Sequence, residues 1–274
     1  MISVIIILYN SKKYISKCID AIENNFSNSN DYEIIFYNNN PKDDYSKIIK
    51  KPYVVETSKV NLGYSKALNY CISKCSSEYI LCLNPDTILY NNAISSLMQV
   101  FDKKDNVGVV GAKVLNPSLD LQLSSRRKFP SISTIMLKFA HTLSITENNT
   151  YNYISVNEDM LQEVDSISGS CMLFTKKVYD KLNGFDERFF LYFEDTDYCI
   201  RLKNNNYKVL YCPEARLIHY KRGSASKKNK FFILFNFYFS MTKFILKYSQ
   251  KYKSLYLIIL ITIIVILKIC QNIY

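Results

Sequence analysis

Residues 2 to 8 read Ile-Ser-Val-Ile-Ile-Ile-Leu, six large aliphatic side chains and one serine in seven positions. Such a run suits a strand buried on both faces, the kind that a sheet covered by helices on both sides requires. The following sequence supplies the helices. Asn10-Ser11 offers a helix cap, and Ile15, Ile19, Ile22 and Phe26 recur at helical spacing. Strand character returns at 31–37, 53–56, 78–83 and 107–114, with helical stretches at 65–73 and 91–101 between them. Strands alternating with helices predict a Rossmann-like α/β fold, doubly wound around a mostly parallel sheet. Ligands of such sheets bind beyond the carboxyl ends of the strands. The polar clusters Tyr9-Asn10, Asn38-Asn39-Asn40, Asn61-Leu62-Gly63 and Asn84-Pro85-Asp86 fall there.

A second segment carries chemistry. Between Gly184 and Arg201 stand five carboxylates, Asp186, Glu187, Glu194, Asp195 and Asp197, among Phe185, Phe189, Phe190, Tyr192, Phe193 and Tyr198. Unpaired ionised carboxylates are too costly to bury, and the stretch is too aromatic for a solvated face. Carboxylates against apolar walls suit a general base or a cation site. Residues 194–202 read as a helix with the acids at its start. Complementing the helix dipole is the plainer role for Glu194 and Asp195. Arg201 is placed to pair with Asp197 or to face phosphate. Arg126 and Arg127, in the less regular stretch 116–166, are candidates for a diphosphate or an anionic acceptor, or for a solvated loop.

Charge divides the chain. The net +11 resides after Glu214, where eleven Lys/Arg stand without one Asp or Glu; the first 214 residues hold 24 basic and 24 acidic side chains. A nucleic-acid protein would spread its basic residues over the binding fold. A basic and apolar tail points to an anionic lipid surface. Within 231–252, Asn236, Ser240, Lys243, Lys247 and Lys251 form one polar stripe on a greasy helix. Residues 255–267 carry no charge and a single Thr. A full span needs about 20 residues, reached only if Lys268 snorkels, so the expectation is interfacial or re-entrant attachment. Packing on the protein's own core or on a partner is the structural alternative. The eight cysteines include no C-x-x-C pair and read as reduced core residues. The run 2–8 is too short, and lacks the basic leader, for a secretory signal.

Taken in order, the pieces Ile7–Asn10, Asn38-Asn39, Asn61-Leu62-Gly63 through Asn69, Asn84-Pro85-Asp86, Gly169, Gly184 through Glu187, Glu194-Asp195-Thr196-Asp197 and His219 resemble glycosyltransferase family 2. The likeness covers roughly residues 2–225. It is greatest to the bacterial rhamnosyltransferase type of polysaccharide and O-antigen assembly. The resemblance implies a GT-A fold over 1–225, with 226–274 as a helical membrane-associating tail. It implies Asp86 and His219 as ligands of Mn²⁺ or Mg²⁺, and Tyr9, Asn10, Asn38, Asn39, Asn61, Gly63, Asn69, Asn84 and Asp86 around a nucleotide sugar. It also implies Asp195 as general base assisted by Glu194, with Gly169 and Asp197 on the acceptor side.

Two positions depart from the family pattern. Asn84 stands where the first Asp of Asp-x-Asp is expected, and Asn38 where an Asp usually bonds the pyrimidine. Gly63 either lets backbone approach the nucleotide or adopts a turn with positive φ. The expectation is an inverting, metal-dependent transferase at the cytoplasmic face of the membrane. It would move rhamnose or another hexose from a nucleoside-diphosphate donor to a glycan or lipid-linked acceptor. The alternative is a non-catalytic sugar-nucleotide or glycan-binding relative of the same fold.

Overall fold

The computed structural model describes residues 1–50, 52, 53, 55–130, 151–221 and 230–248, with Lys230 and Phe231 as backbone alone. Its centre is one sheet in the order β3-β2-β1-β4-β10-β6-β11-β5, with β8 added beside β11. These strands are β1 (Ile2–Leu8), β2 (Tyr32–Asn38), β3 (Val55–Thr57), β4 (Tyr79–Leu83), β5 (Thr87–Leu89), β6 (Val107–Leu115), β8 (Gln162–Glu163), β10 (Cys171–Thr175) and β11 (Lys208–His219). A separate ribbon pairs β7 (Arg126–Arg127) with β9 (Ser166–Ile167).

The burial of β1 on both faces follows directly from its sequence. Ile2, Val4, Ile6 and Leu8 enter one core cluster, against Ile15, Cys18, Ile19 and Ile22 of α1 (Lys12–Glu23) and Ile94 and Leu97 of α3 (Ala93–Lys103). Ile5 and Ile7 enter the other, with Leu68 and Cys71 of α2 (Tyr64–Ile72), Val178 of α4 (Lys176–Lys181) and Cys199 and Leu202 of α5 (Glu194–Asn204). Period-two alternation thus feeds two helical layers. Ser11 stands at the start of α1 without capping it; its hydroxyl lies 3.0 Å from the Tyr45 phenol instead.

The sheet is mixed rather than mostly parallel. β3, β2, β1 and β4 run parallel, as do β6 and β11. β10 lies antiparallel between β4 and β6, and β11 is antiparallel to β5 and β8. Residues 116–170 separate β6 from β10, a connection long enough to return the chain to the sheet from either end, so the antiparallel entry of β10 is open to it. β11 has no clear sequence signal, because Pro213 interrupts it. The ladder slips between Cys212 and Arg216, and the bulge absorbs the proline.

The last described helix, α6 (Lys230–Tyr248), lies on the segment from Asp186 to Asp197. Among the described residues no helix is long and apolar enough to cross a membrane. Residues 255–267, expected to reach into lipid, lie outside the described residues.

Candidate active site

Three loops converge at the carboxyl ends of β1, β2 and β4. The turn Asn84–Asp86 joins β4 to β5, and β5 pairs with β11 so that Thr87 faces His219. That register brings His219 Nε2 to 3.2 Å from Asp86 Oδ1 and 3.5 Å from Asn84 Nδ2. Both side chains are nearly buried, at 11% and 13% exposure. The spacing fits two adjacent ligands of one divalent cation: an octahedron with bonds of about 2.1 Å has an edge of about 3.0 Å. Among the described residues no cluster of three or more His, Cys, Asp or Glu surrounds a common point. Asp86 and His219 therefore offer two ligands, and a cation held there keeps positions for phosphate oxygens and water.

The acidic side of the cleft is the start of α5. Asp195 is anchored through both oxygens. Oδ2 accepts from Gly169 N at 2.9 Å and from Arg127 Nη2 at 2.7 Å. Oδ1 accepts from Thr196 N at 2.6 Å and from its hydroxyl at 3.1 Å. Glu194 differs. Its Oε2 is buried without a hydrogen-bond partner, and burial, then the neighbouring Asp195 charge, raises its pKa.

Tyr64, at the start of α2, joins the two halves. Its hydroxyl lies 3.2 Å from Asn84 Oδ1 and 3.3 Å from the Gly169 carbonyl, and it donates at this junction. Asn84 N donates to Ser170 O at 3.0 Å. A chain of contacts thus runs from His219 and Asp86 through Asn84, Tyr64 and Gly169 to Asp195 and Arg127. Beside Arg127 opens a cavity of about 500 Å³, lined also by Tyr151, Asn152, Lys221, Asn116 and Ser124.

The remaining expected residues are placed as follows. Tyr9 is half-buried at the end of β1. Asn10 adopts φ 52° and donates its N–H to Asp43 Oδ2 at 2.9 Å, while its side-chain oxygen accepts from Asn40. Asn38 spends its amide inside the 38–43 turn, accepting from Asn40 N and donating to Asp43 O. Asn39 clamps the neighbouring loop, donating to Gly63 O and accepting from Leu62 N. Asn61 accepts from Gly63 N.

Gly63 has φ +81°, and a Cβ there would sit 2.7 Å from Phe190, so the close approach it permits is to protein backbone and ring. Asn69 braces the 184–190 loop, donating to Phe185 O and Glu187 and accepting from Tyr179 and Phe185 N. These amides shape the rim of the cleft through the protein's own backbone.

Asp197, expected on the acceptor side, is held inside the protein. It has no exposure, and its oxygens accept from Arg201 Nε at 2.8 Å, Tyr248 OH at 2.7 Å and Lys247 Nζ. Arg126 is also fully buried, donating to Val156 O, Asn157 O and Gln162. Tyr64 escaped the sequence reading although it lies inside the Asn61–Asn69 motif, whose span was its only signal. Arg127 was open between several roles, and its partner Asp195 is 68 residues away.

Residues 3–182 match the family model described as Glycosyl transferase family 2. The chain belongs to that family. Residues 154–223 also match the N-terminal domain of galactosyltransferase. The family 2 chain is 28% identical over 230 residues to rhamnosyltransferase WbbL of Escherichia coli, covering 80% of this chain and 83% of that one. It is 25% identical over 183 residues to the N-acetylglucosaminyl-diphospho-decaprenol L-rhamnosyltransferase of Mycobacterium tuberculosis, covering 61% of this chain and 58% of that relative.

Among solved structures, GalNAc-T7 with UDP, GalNAc and Mn²⁺ superposes with TM-score 0.59 at 12% identity, over 81% of this chain and 44% of that one. Residues 1–349 of Staphylococcus aureus TarS with UDP give 0.56 at 14% identity, over 92% and 68%. At those identities the likeness is one of fold, a mixed α/β sheet of GT-A type.

Proposed function

We propose that this family 2 chain is an inverting, metal-dependent glycosyltransferase. It moves rhamnose or another hexose from a nucleoside-diphosphate donor to a hydroxyl of a glycan or lipid-linked acceptor in cell-surface polysaccharide synthesis. The observation that carries the reading is the chain of contacts from Asp86 and His219 through Asn84, Tyr64 and Gly169 to Asp195, with Glu194 beside it. The rhamnosyltransferase relatives support the sugar class, and the diphospho-decaprenol in one relative's name supports a lipid-linked acceptor. The UDP and Mn²⁺ of the structural neighbours support a nucleotide-sugar donor and a divalent cation.

Asp86 and His219 would hold the cation, which would supply positive charge to offset that of the departing diphosphate. Gly169, Thr196 and Arg127 hold Asp195 in orientation. The acceptor hydroxyl enters by the cavity beside Arg127 and competes with it for Oδ2. Asp195 takes the hydroxyl proton as the new bond to the anomeric carbon forms. The bond to the diphosphate breaks, and its electron pair leaves with the nucleoside diphosphate. Glu194, adjacent and desolvated, positions the acceptor. Residues 1–225 form the catalytic unit, and 226–274 hold it to the cytoplasmic face of the membrane.

A donor screen following nucleoside-diphosphate release, with and without Mn²⁺ or Mg²⁺, tests this reading. Metal-dependent release from one donor, lost in Asp195→Asn, is the expected result. Donor binding without turnover in the presence of lipid-linked acceptors would overturn it in favour of a non-catalytic relative.

A further inference from the structure

Helix α6 has two unlike faces. Its inner face is buried and held, with polar anchors set among apolar side chains. Ser240 is fully buried and donates to Leu191 O at 2.7 Å, Lys243 donates to Arg188 O at 2.6 Å, and Lys247 and Tyr248 reach Asp197. Phe244 and Ile245 are buried beside them, and Phe193 packs on Phe244 at 5.2 Å. The outer face carries Phe232, Phe235, Phe239 and Leu246, exposed by 41%, 52%, 46% and 57%. Spacings of three, four and seven put all four on one line along the helix. The rings of Phe235 and Phe239 stack at 5.7 Å, and Lys243 Nζ lies 4.1 Å from the Phe239 ring at the edge of the stripe.

We propose that this stripe is a lipid-docking face, lying in the headgroup layer of an anionic bilayer. The proposal rests on the membrane attachment proposed above and adds which surface makes it. Charge selects lipid as the occupant. No acidic residue follows Glu214, and the stripe is bracketed in sequence by Arg222, Lys227, Lys228 and Lys230 on one side and Lys251 and Lys253 on the other. The uncharged run 255–267 continues from the same end of the helix. The inner contacts fix how the stripe points relative to the catalytic segment, because Asp197 lies two residues from Asp195. A bilayer seated on α6 therefore orients the cleft.

The chain contains no tryptophan, so one placed on the stripe is a single reporter. Phe239→Trp and Phe235→Trp report the outer face, and Phe244→Trp the inner one. Full-length protein is mixed with vesicles of phosphatidylcholine, with or without phosphatidylglycerol. The outer reporters are expected to shift to the blue and be quenched by brominated acyl chains on anionic vesicles, while the inner one stays unchanged. Phe235→Ser/Phe239→Ser is expected to lower vesicle partitioning about tenfold or more while keeping turnover of a soluble acceptor. If the unsubstituted chain ignores vesicles, membrane attachment falls and the face with it. If it binds but the outer reporters stay unquenched, or the double variant binds equally well, attachment stands and the face is overturned. A blue shift that follows protein concentration without lipid would assign the stripe to a second copy and overturn the proposal.

Discussion

At the residue scale the two acids of α5 have opposite environments, and this sets their expected behaviour. Asp195 accepts four hydrogen bonds, one from an arginine, which fills the about four lone-pair sites of a carboxylate. Asp195→Asn keeps the size but loses the charge that Arg127 balances. Turnover is expected to fall by about 10²–10⁴, measured as nucleoside-diphosphate release. Glu194 has its pKa raised by burial, then by Asp195, with Arg127 opposing and Asp197 adding to the rise. The folded state therefore holds its proton more tightly than the unfolded chain. Its contribution to stability falls as pH rises from the usual glutamate value of 4.5 toward the raised folded value. Glu194→Gln is expected to flatten that limb and raise the relative stability at alkaline pH, read from thermal melts across pH. The identity of these two acids was legible in the sequence. Their difference was not, because it depends on Arg127 and Gly169, distant in sequence.

At the element scale, the turn before α2 and helix α6 both brace the loop that leads into the acidic helix. Gly63 combines φ +81° with Phe190 at 2.7 Å from a would-be Cβ. Gly63→Ala is expected to cost about 2 kcal/mol or more, from backbone strain and displacement of the ring, and a urea melt measures it. Lys247 joins Asp186 to the buried Asp197. Lys247→Met is expected to cost about 2 kcal/mol, since a hydrogen bond to a buried charge is lost, and the same melt reads it. Burial pushes the Asp186 carboxyl up, and hydrogen bonds from Arg188 and Lys247 outweigh it, holding the group well below the usual aspartate range. Its contribution is present above the ordinary value of 3.8 and is lost as pH falls toward the depressed one. The stripe Asn236, Ser240, Lys243 and Lys247 was visible as spacing. Only packing shows that it faces Leu191, Arg188 and Asp186.

At the scale of the whole molecule, Asp86 and His219, the proposed cation pair, meet through the pairing of β5 with β11. His219→Ala removes one of the two proposed protein ligands. It is expected to raise the Mn²⁺ or Mg²⁺ concentration for half-maximal activity at least about tenfold, read from metal titrations of the donor assay. The sequence by itself determined the buried first strand, the two helical layers, the family motifs and the acids of the cleft. These are local facts: alternation of side chains on β1, helical spacing on α1 and α3, and residue type at a strand end. Tertiary structure decided the antiparallel entry of β10, the partner of Asp195, the turn of Asp197 away from the cleft and the meeting of Asp86 with His219. Each depends on which distant strand or helix lies alongside. The register of β5 on β11 spans 132 positions between Thr87 and His219, and no periodicity within either strand encodes it.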